Sequence, residues 1–251
     1  MTWLIALFLL IGFIGGIITA LAGGAQFLTF PMLNIVGGLP VKTANGTSSM
    51  AVWLSPLISG ALLGKNRSVR RKTFTHLIVI SFVGSCLGVF IVTKLTDQQF
   101  KQLVPFLLTI AAIALTWGQK IRKYFNNPIL PTSSRWLYFV QFILAVYAGI
   151  YGGGVAIMML AVYGFFAFKS VQASQQLKNI LAGVMNLASA VSFAFAGLVA
   201  WNFALPLMVG NVAGGVVGAH LLQSLKPTVI RSVVIVFAWF ITFYYFARLY
   251  I

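Results

Sequence analysis

The chain has 251 residues, of which 60% are hydrophobic and 7% charged, and its mean hydropathy is +0.99. Soluble domains carry about a quarter of charged residues, so this balance excludes one and implies a membrane protein. The formal charge of +16 does not make a nucleic-acid binder, because the basic residues stand in short loops between apolar runs without aromatic interleaving.

A hydrocarbon core of about 30 Å needs roughly 20 apolar residues per helical crossing. The first such run, Trp3 to Ala22, lacks a charged leader and a polar cleavage region, so it reads as a span and not as a removed signal peptide. Gly23 and Gly24 follow, then a short apolar segment from Ala25 to Val36. The next stretch, GGLPVKTANGTSS at 37–49, is polar and glycine-broken. Pro40 favours a turning chain before it, and Asn45, Gly46, Thr47 and Ser48 are residue types that open helices. A helix start near Thr47 is therefore expected, with Lys42 adding charge nearby. Helix N-termini carry unpaired amides and the positive end of the macrodipole, so they bind anions. The alternative is that Thr47 and Ser48 only cap while Lys42 snorkels to the headgroups.

Further runs cover Gly46 to Gly64, Phe74 to Thr93 and Leu103 to Trp117. Between the last two, TDQQ at 96–99 reads as a capping box holding Asp97, the only carboxylate side chain. Lys65, Arg67, Arg70, Arg71 and Lys72 crowd one loop, and Lys120, Arg122, Lys123 and Arg135 another. Both are expected to face the cytoplasm. Trp136 to Tyr151 is the next run, followed by Gly152 and Gly153 and a second short segment, Val155 to Phe168. Asn179 to Ala200, Phe203 to Leu222 and Val229 to Phe246 complete eight full spans and two short ones.

The halves repeat. Gly23 and Gly24 return as Gly152 and Gly153, and Ala44 as Ala173, 129 positions on; Gly84 and Gly88 return as Gly214 and Gly218, 130 positions on. The expected architecture is an all-α polytopic membrane protein of two pseudo-symmetric repeats, 1–125 and 135–251, joined by a cytoplasmic linker at 126–134. Basic-residue counts favour inverted halves. Matched short or glycine-interrupted segments point to a transporter's binding site, since a broken helix survives in lipid only where protein or a water-filled cavity covers it. The small-xxx-small glycines are expected to serve close helix packing.

In the second half, FKSVQASQQLKNIL at 168–181 sets Gln175, Gln176, Lys178 and Asn179 at the start of a span, where an ionisable residue marks function. With Asp97 assigned to a capping box, the charge complementary to Lys178 is expected from a substrate. Asn186 and Asn211 either line a path or bond a neighbouring helix. Cys86 is single, so no intramolecular disulfide forms. His76, His220 and Asp97 share no spacing that would make an acid–base pair, so no enzyme is expected, and no metal site.

GGAQFLTFP at 23–31, the 38–49 stretch after it, and YGGGVAIMML at 151–160 with the span after Ala173 resemble the TauE/SafE-type sulfite exporters, a family of small anion permeases. The resemblance implies two duplicated modules in a bacterial inner membrane, no cofactor, and movement of sulfite, thiosulfate or small organosulfonates. By motif it implies roles for Gly23, Gly24, Gly46, Thr47 and Ser48. Two elements depart from the pattern: Gln175, Gln176 and Leu177 stand where the family often has Gly-Thr-Ser, and Leu160 matches Pro31. The full expected substrate site is Gly23, Gly24, Gln26, Asn45, Gly46, Thr47, Ser48, Gly152, Gly153, Gln175, Gln176, Lys178, Asn179 and Asn186. The expected partners are a small anion and the lipid bilayer, and a homo-oligomer is compatible with the sequence. Other small anions, carboxylates or amino acids, and a non-transporting membrane scaffold are the competing readings.

Overall fold

A computed structural model describes residues 2–21, 24–62, 69–124, 130–168, 170–221 and 227–250. They form eleven helices, and the only β pairing among them is an isolated bridge between Leu130 and Phe166. The helices are α1 (Thr2–Leu21), α2 (Gln26–Ile35), α3 (Val41–Val52), α4 (Leu54–Leu62), α5 (Arg71–Lys94), α6 (Asp97–Tyr124), α7 (Arg135–Ile150), α8 (Val155–Tyr163), α9 (Val171–Phe195), α10 (Trp201–Leu221) and α11 (Pro227–Tyr250). Five of them, α1, α5, α6, α9 and α10, are long and apolar enough to cross a membrane. The three other expected spans take shorter or divided forms.

The run expected from Gly46 to Gly64 is divided at Trp53, where the backbone stays right-handed (φ −66°, ψ −33°). Pro56 explains the bend, because it has no N–H for the carbonyl of Val52 and its ring crowds that carbonyl. Together α3 and α4 run from Val41 to Leu62, about 33 Å at 1.5 Å per residue. α7 stops at Ile150 because Tyr151 is extended (φ −155°, ψ 109°) and three glycines follow. In α11 the described apolar stretch is Val234–Leu249.

Local chemistry fixes most of the described ends. Thr96 N–H donates to Gln99 Oε1 at 2.8 Å and Gln99 N–H to Thr96 Oγ1 at 3.2 Å, the reciprocal capping box expected of TDQQ. Ser134 and Ser170 cap α7 and α9 by accepting from Trp136 and Ala173 amides. α2 ends where Val36 and Gly37 amides both reach the Met32 carbonyl and Gly38 turns left-handed (φ +65°).

Contacts between named positions fix the helix directions. α1 lies along α10 in parallel: Phe8 meets Phe203, Gly12 meets Leu207, Gly16 meets Asn211 and Ala20 meets Gly218. α7 lies along α5 in the same way, with His76 on Tyr138, Ser81 bonded to Gln141 and Gly88 against Gly149. α3 and α4 run antiparallel to α9, with Gly46 on Phe193, Leu57 on Gly183 and Gly60 on Ile180. α6 packs on α11 and α8.

Two ends follow from these pairings. One carries Arg70, Arg71, Lys72 and Arg135; the other carries Lys42, Lys94, Lys101 and Arg248. The hairpin α1–α2 enters from the second end and the hairpin α7–α8 from the first. Phe90, Phe106, Phe139, Val209, Val236 and Phe240 point outward and are exposed, an apolar surface far beyond that of a soluble monomer. Trp3, Trp117, Trp136 and Trp201 are also exposed near helix ends, as an aromatic belt requires.

The small-residue seams let these helices touch backbone to backbone. A Cβ added at Gly16 would lie 2.1 Å from the Asn211 carbonyl oxygen, at Gly214 1.9 Å from that of Phe13, and at Gly88 2.2 Å from that of Val146. Each atom is backbone and cannot swing aside. Gly16→Ala and Gly88→Ala are each expected to reduce unfolding free energy by about 1–3 kcal/mol through overpacking, read by denaturant titration in detergent. Unchanged stability would show that the seam has slack.

Candidate functional site

The tips of the two hairpins meet. Gly24 (φ +116°) precedes α2 and Gly154 (φ +80°) caps α8; a Cβ on Gly24 would sit 3.8 Å from the Gly154 nitrogen. Both φ values belong to glycine. The 129-residue offset pairs Gly24 with Gly153, but the left-handed residue of the second hairpin is Gly154. Gly153 instead offers its carbonyl to the Tyr147 hydroxyl at 3.1 Å. Beyond the tips the first turns of α2 and α8 close on the tip carbonyls: the Phe27 amide donates to that of Gly24 at 3.0 Å and the Ile157 amide to that of Gly154 at 3.0 Å.

A small cavity, about 30 Å³, lies at this junction. That is room for roughly one or two waters. Gly24, Ala25 and Gln26 line it from the first hairpin and Gly152, Val155 and Ala156 from the second. Lys178, Asn179, Ala182 and Asn186 line it from α9; Lys178, Ala182 and Asn186 are four residues apart and so share one helix face. Thr19, Val52 and Pro56 close the remaining walls. No carboxylate is among the lining residues. Lys178 is only 5% exposed.

Amides converge there. Gln26 Nε2 donates to Ser49 Oγ at 3.0 Å, which leaves Oε1 directed at Gly152. A Cβ on Gly152 would stand 2.0 Å from Gln26 Oε1 and 3.1 Å from Asn186 Oδ1. Asn186 is buried and its Oδ1 has no hydrogen-bond partner among the described residues. The cavity thus gathers three side-chain amides (Gln26, Asn179 and Asn186), a lysine, a threonine and the first backbone of two helices, a set suited to a small anion.

Of the expected site residues, the structure brings together Gly24, Gln26, Gly152, Lys178, Asn179 and Asn186. Gly23 lies outside the described residues. Gln175 and Gln176 are half-buried and do not line the cavity. The helix expected to open near Thr47 begins instead at Val41, after Pro40 (φ −52°, ψ 147°), so Asn45–Ser48 lie mid-helix and offer no free amides. They bond outward. Asn45 Nδ2 donates to the Ile150 carbonyl at 2.9 Å, Thr47 Oγ1 accepts from the Ala200 amide at 2.9 Å, and Ser48 Oγ pairs with Thr29 Oγ1 at 2.6 Å. Gly46 receives the Leu198 carbonyl, 2.3 Å from its would-be Cβ. Lys42 points to the far end, donating to the Leu95 carbonyl and lying 3.7 Å from Asp97. Sequence reasoning missed Thr19, although it stands nearly alone as a polar residue in its apolar run. It also missed Pro56, whose position inside an apolar run was the available signal.

Gly152→Ala is expected to displace Gln26 and reduce stability by about 1–3 kcal/mol. Combined with Gln26→Ala the cost should be smaller than the sum by at least about 1 kcal/mol, the range for residues in contact. Additive losses in that double-mutant cycle would separate the two residues.

Comparison with known proteins identifies the family of the chain. The family model for the sulfite exporter TauE/SafE matches residues 8–245. A protein of Haemophilus influenzae called "Probable membrane transporter protein" is 26% identical over 240 residues, covering 95% of this chain and 93% of the relative. "Probable membrane transporter protein ORF9" of Sinorhizobium sp is 26% identical over 239 residues, covering 93% and 88%. "Probable membrane transporter protein YfcA" of Escherichia coli K12 is 23% identical over 241 residues, covering 93% and 86%. No solved structure gives a significant match. With five helices long and apolar enough to cross a bilayer and a family match over nearly its whole length, the chain is an integral multi-pass membrane protein of the sulfite exporter TauE/SafE family.

Proposed function

We propose that the protein is a membrane transporter that moves small sulfur-containing anions, sulfite or an organosulfonate, across the bacterial inner membrane, driven by the membrane potential. One observation carries this reading. The tips of two opposed helical hairpins, Lys178, Gln26 and Asn186 converge on one cavity without a carboxylate. Fixed amide dipoles and one ammonium select charge and size, and the family match favours sulfur oxyanions over carboxylates.

The two hairpins, entering from opposite ends, support a pair of inverted repeats with the site between them, the plan common in secondary transporters. The end bearing Arg70, Arg71, Lys72 and Arg135 is cytoplasmic by the positive-inside rule. In this arrangement each half contributes one hairpin and three crossings, with α3 and α4 acting together. Asp97, the only carboxylate side chain, lies at the start of α6 beside Lys42 and is largely exposed. It is remote from the cavity, which argues against a carboxylate proton relay. A negative interior moves anions outward, at about 2.3 kcal/mol per charge per 100 mV.

The test is sulfite flux into proteoliposomes under an imposed potassium-diffusion potential, with sulfate and acetate as competitors. Flux should saturate and follow the potential. A lost hydrogen bond to a charged group costs about 1.5–3 kcal/mol, so Lys178→Ala should lose roughly 10- to 150-fold in kcat/KM. Flux that ignores the potential and follows a pH gradient would overturn the driving force. Strong competition by acetate would move the substrate to carboxylates, and a wild type inert toward these anions would overturn sulfite transport.

A further inference from the structure

The end of the bundle opposite the basic loops holds a second cavity, about 260 Å³ in volume. Asn34 and Pro40 border it near the end of α2, Asp97 and Lys101 on α6, and Tyr245 and Arg248 on α11. Asp97 faces Lys42, which lies outside this lining. Lys101 and Arg248 form no ion pair among the described residues. Two cations against one acid already matched elsewhere leave the cavity positive.

Its floor is aromatic and leads back to the first cavity. Tyr245, buried, donates its hydroxyl to Asn34 Oδ1 at 2.8 Å, and Asn34 Nδ2 is held by the Leu39 carbonyl at 2.7 Å. The Tyr245 ring stacks on Phe30 (5.8 Å, 21°), Phe30 meets Tyr151 edge to face (5.5 Å, 74°), and Tyr151 meets Phe27 (6.4 Å, 86°). Phe27 in turn approaches both hairpin tips, within 3.2 Å of a would-be Cβ on Gly24 and 3.3 Å of one on Gly154. Four rings from both hairpins and α11 therefore separate the cavities.

One atom in this row of rings stands without a partner. Tyr151 has no exposed surface, and its hydroxyl forms no hydrogen bond among the described residues. An unbonded phenol in such surroundings is costly, so its retention calls for an explanation, and a ligand that it bonds is one. The ring edges are taken up by neighbouring ring faces, so the Tyr151 hydroxyl is the donor this row of rings can offer to an anion.

We propose that the larger cavity is a second site for the same small anion, in series with the first, and that the Tyr151 hydroxyl donates to the anion as it passes between them. The inference rests on the transporter reading. Lys101 and Arg248 collect the anion at the mouth, and rotation of Phe30 and Tyr151 opens the way to Gln26 and Lys178. Tyr245, anchored by Asn34, sets where the moving rings stop.

The experiment measures sulfite flux in both directions in proteoliposomes of fixed protein orientation. Lys101→Gln with Arg248→Gln should raise KM from the far face at least about fivefold, while kcat and the KM from the basic face stay within about twofold, the pattern of lost ground-state binding. The charge-keeping pair Lys101→Arg with Arg248→Lys should restore KM. Tyr151→Phe, which removes one oxygen and keeps the ring, should lower kcat at least about tenfold with KM nearly unchanged. An unaltered far-face KM in the first variant, or full turnover in Tyr151→Phe, would overturn the serial site and leave the transporter standing. A wild type that carries no sulfite would remove both.

Discussion

A broken helix inside a membrane protein must find partners for its exposed amides, since hydrocarbon supplies none. Gly24 and Gly154 place two such breaks side by side, and much of the remaining structure follows from covering them. Because each tip lies against the other and against α9, neither hairpin is covered without the rest. The seams α1–α10 and α5–α7 hold the hairpins from behind. Their glycines allow backbone approach, where dispersion between many atoms replaces the hydrophobic drive that lipid does not provide. Steric closeness at Gly16, Gly88 and Gly214 and the polar meeting point at the tips are therefore parts of one arrangement.

The polar stretch at 37–49 has its place in that arrangement. Asn45, Thr47 and Ser48 bond to Ile150 at the end of α7, to Ala200 before α10, and to Thr29 on α2. One helix thereby ties the two hairpins to each other and to the start of α10. Its polarity serves attachment, and only Gln26, bonded to Ser49, carries that attachment to the cavity wall. A movement of α3 would be felt in both hairpins, because it bonds to α7 and to α2.

Much of this was legible in the sequence. The glycine repeat located both breaks, the short segments correspond to α2 and α8, TDQQ closed as a capping box, and Gly84, Gly88, Gly214 and Gly218 mark helix seams. The start of α3 was misplaced for a physical reason. Asn, Thr and Ser favour helix N-termini because their side chains bond nearby amides, yet here the same groups bond neighbouring helices, and Pro40 sets the boundary. Which glycine takes a positive φ, and which amide faces Gly152, depends on approach between residues more than a hundred positions apart. Tyr151 read as the last residue of a span, and no local spacing relates it to Phe30 or Tyr245.

The smaller cavity constrains the chemistry more than its charge does. At about 30 Å³ it has room for roughly one or two waters, so under the proposed function an ion held there would keep little water beside it. The side-chain amides of Gln26, Asn179 and Asn186 would then have to replace lost hydration, which favours a preorganised polar site over a flexible one. A single lysine supplies formal charge to this wall. A second fixed cation would deepen the well and slow release, whereas conduction needs binding strong enough for entry and weak enough for exit. The two cations at Lys101 and Arg248 stand instead in the larger cavity, where water remains and screening weakens their hold. Under the proposed function, the two cations of the larger cavity would meet a hydrated ion through screening water, and the single lysine of the smaller one would meet it bare, where each charge acts more strongly.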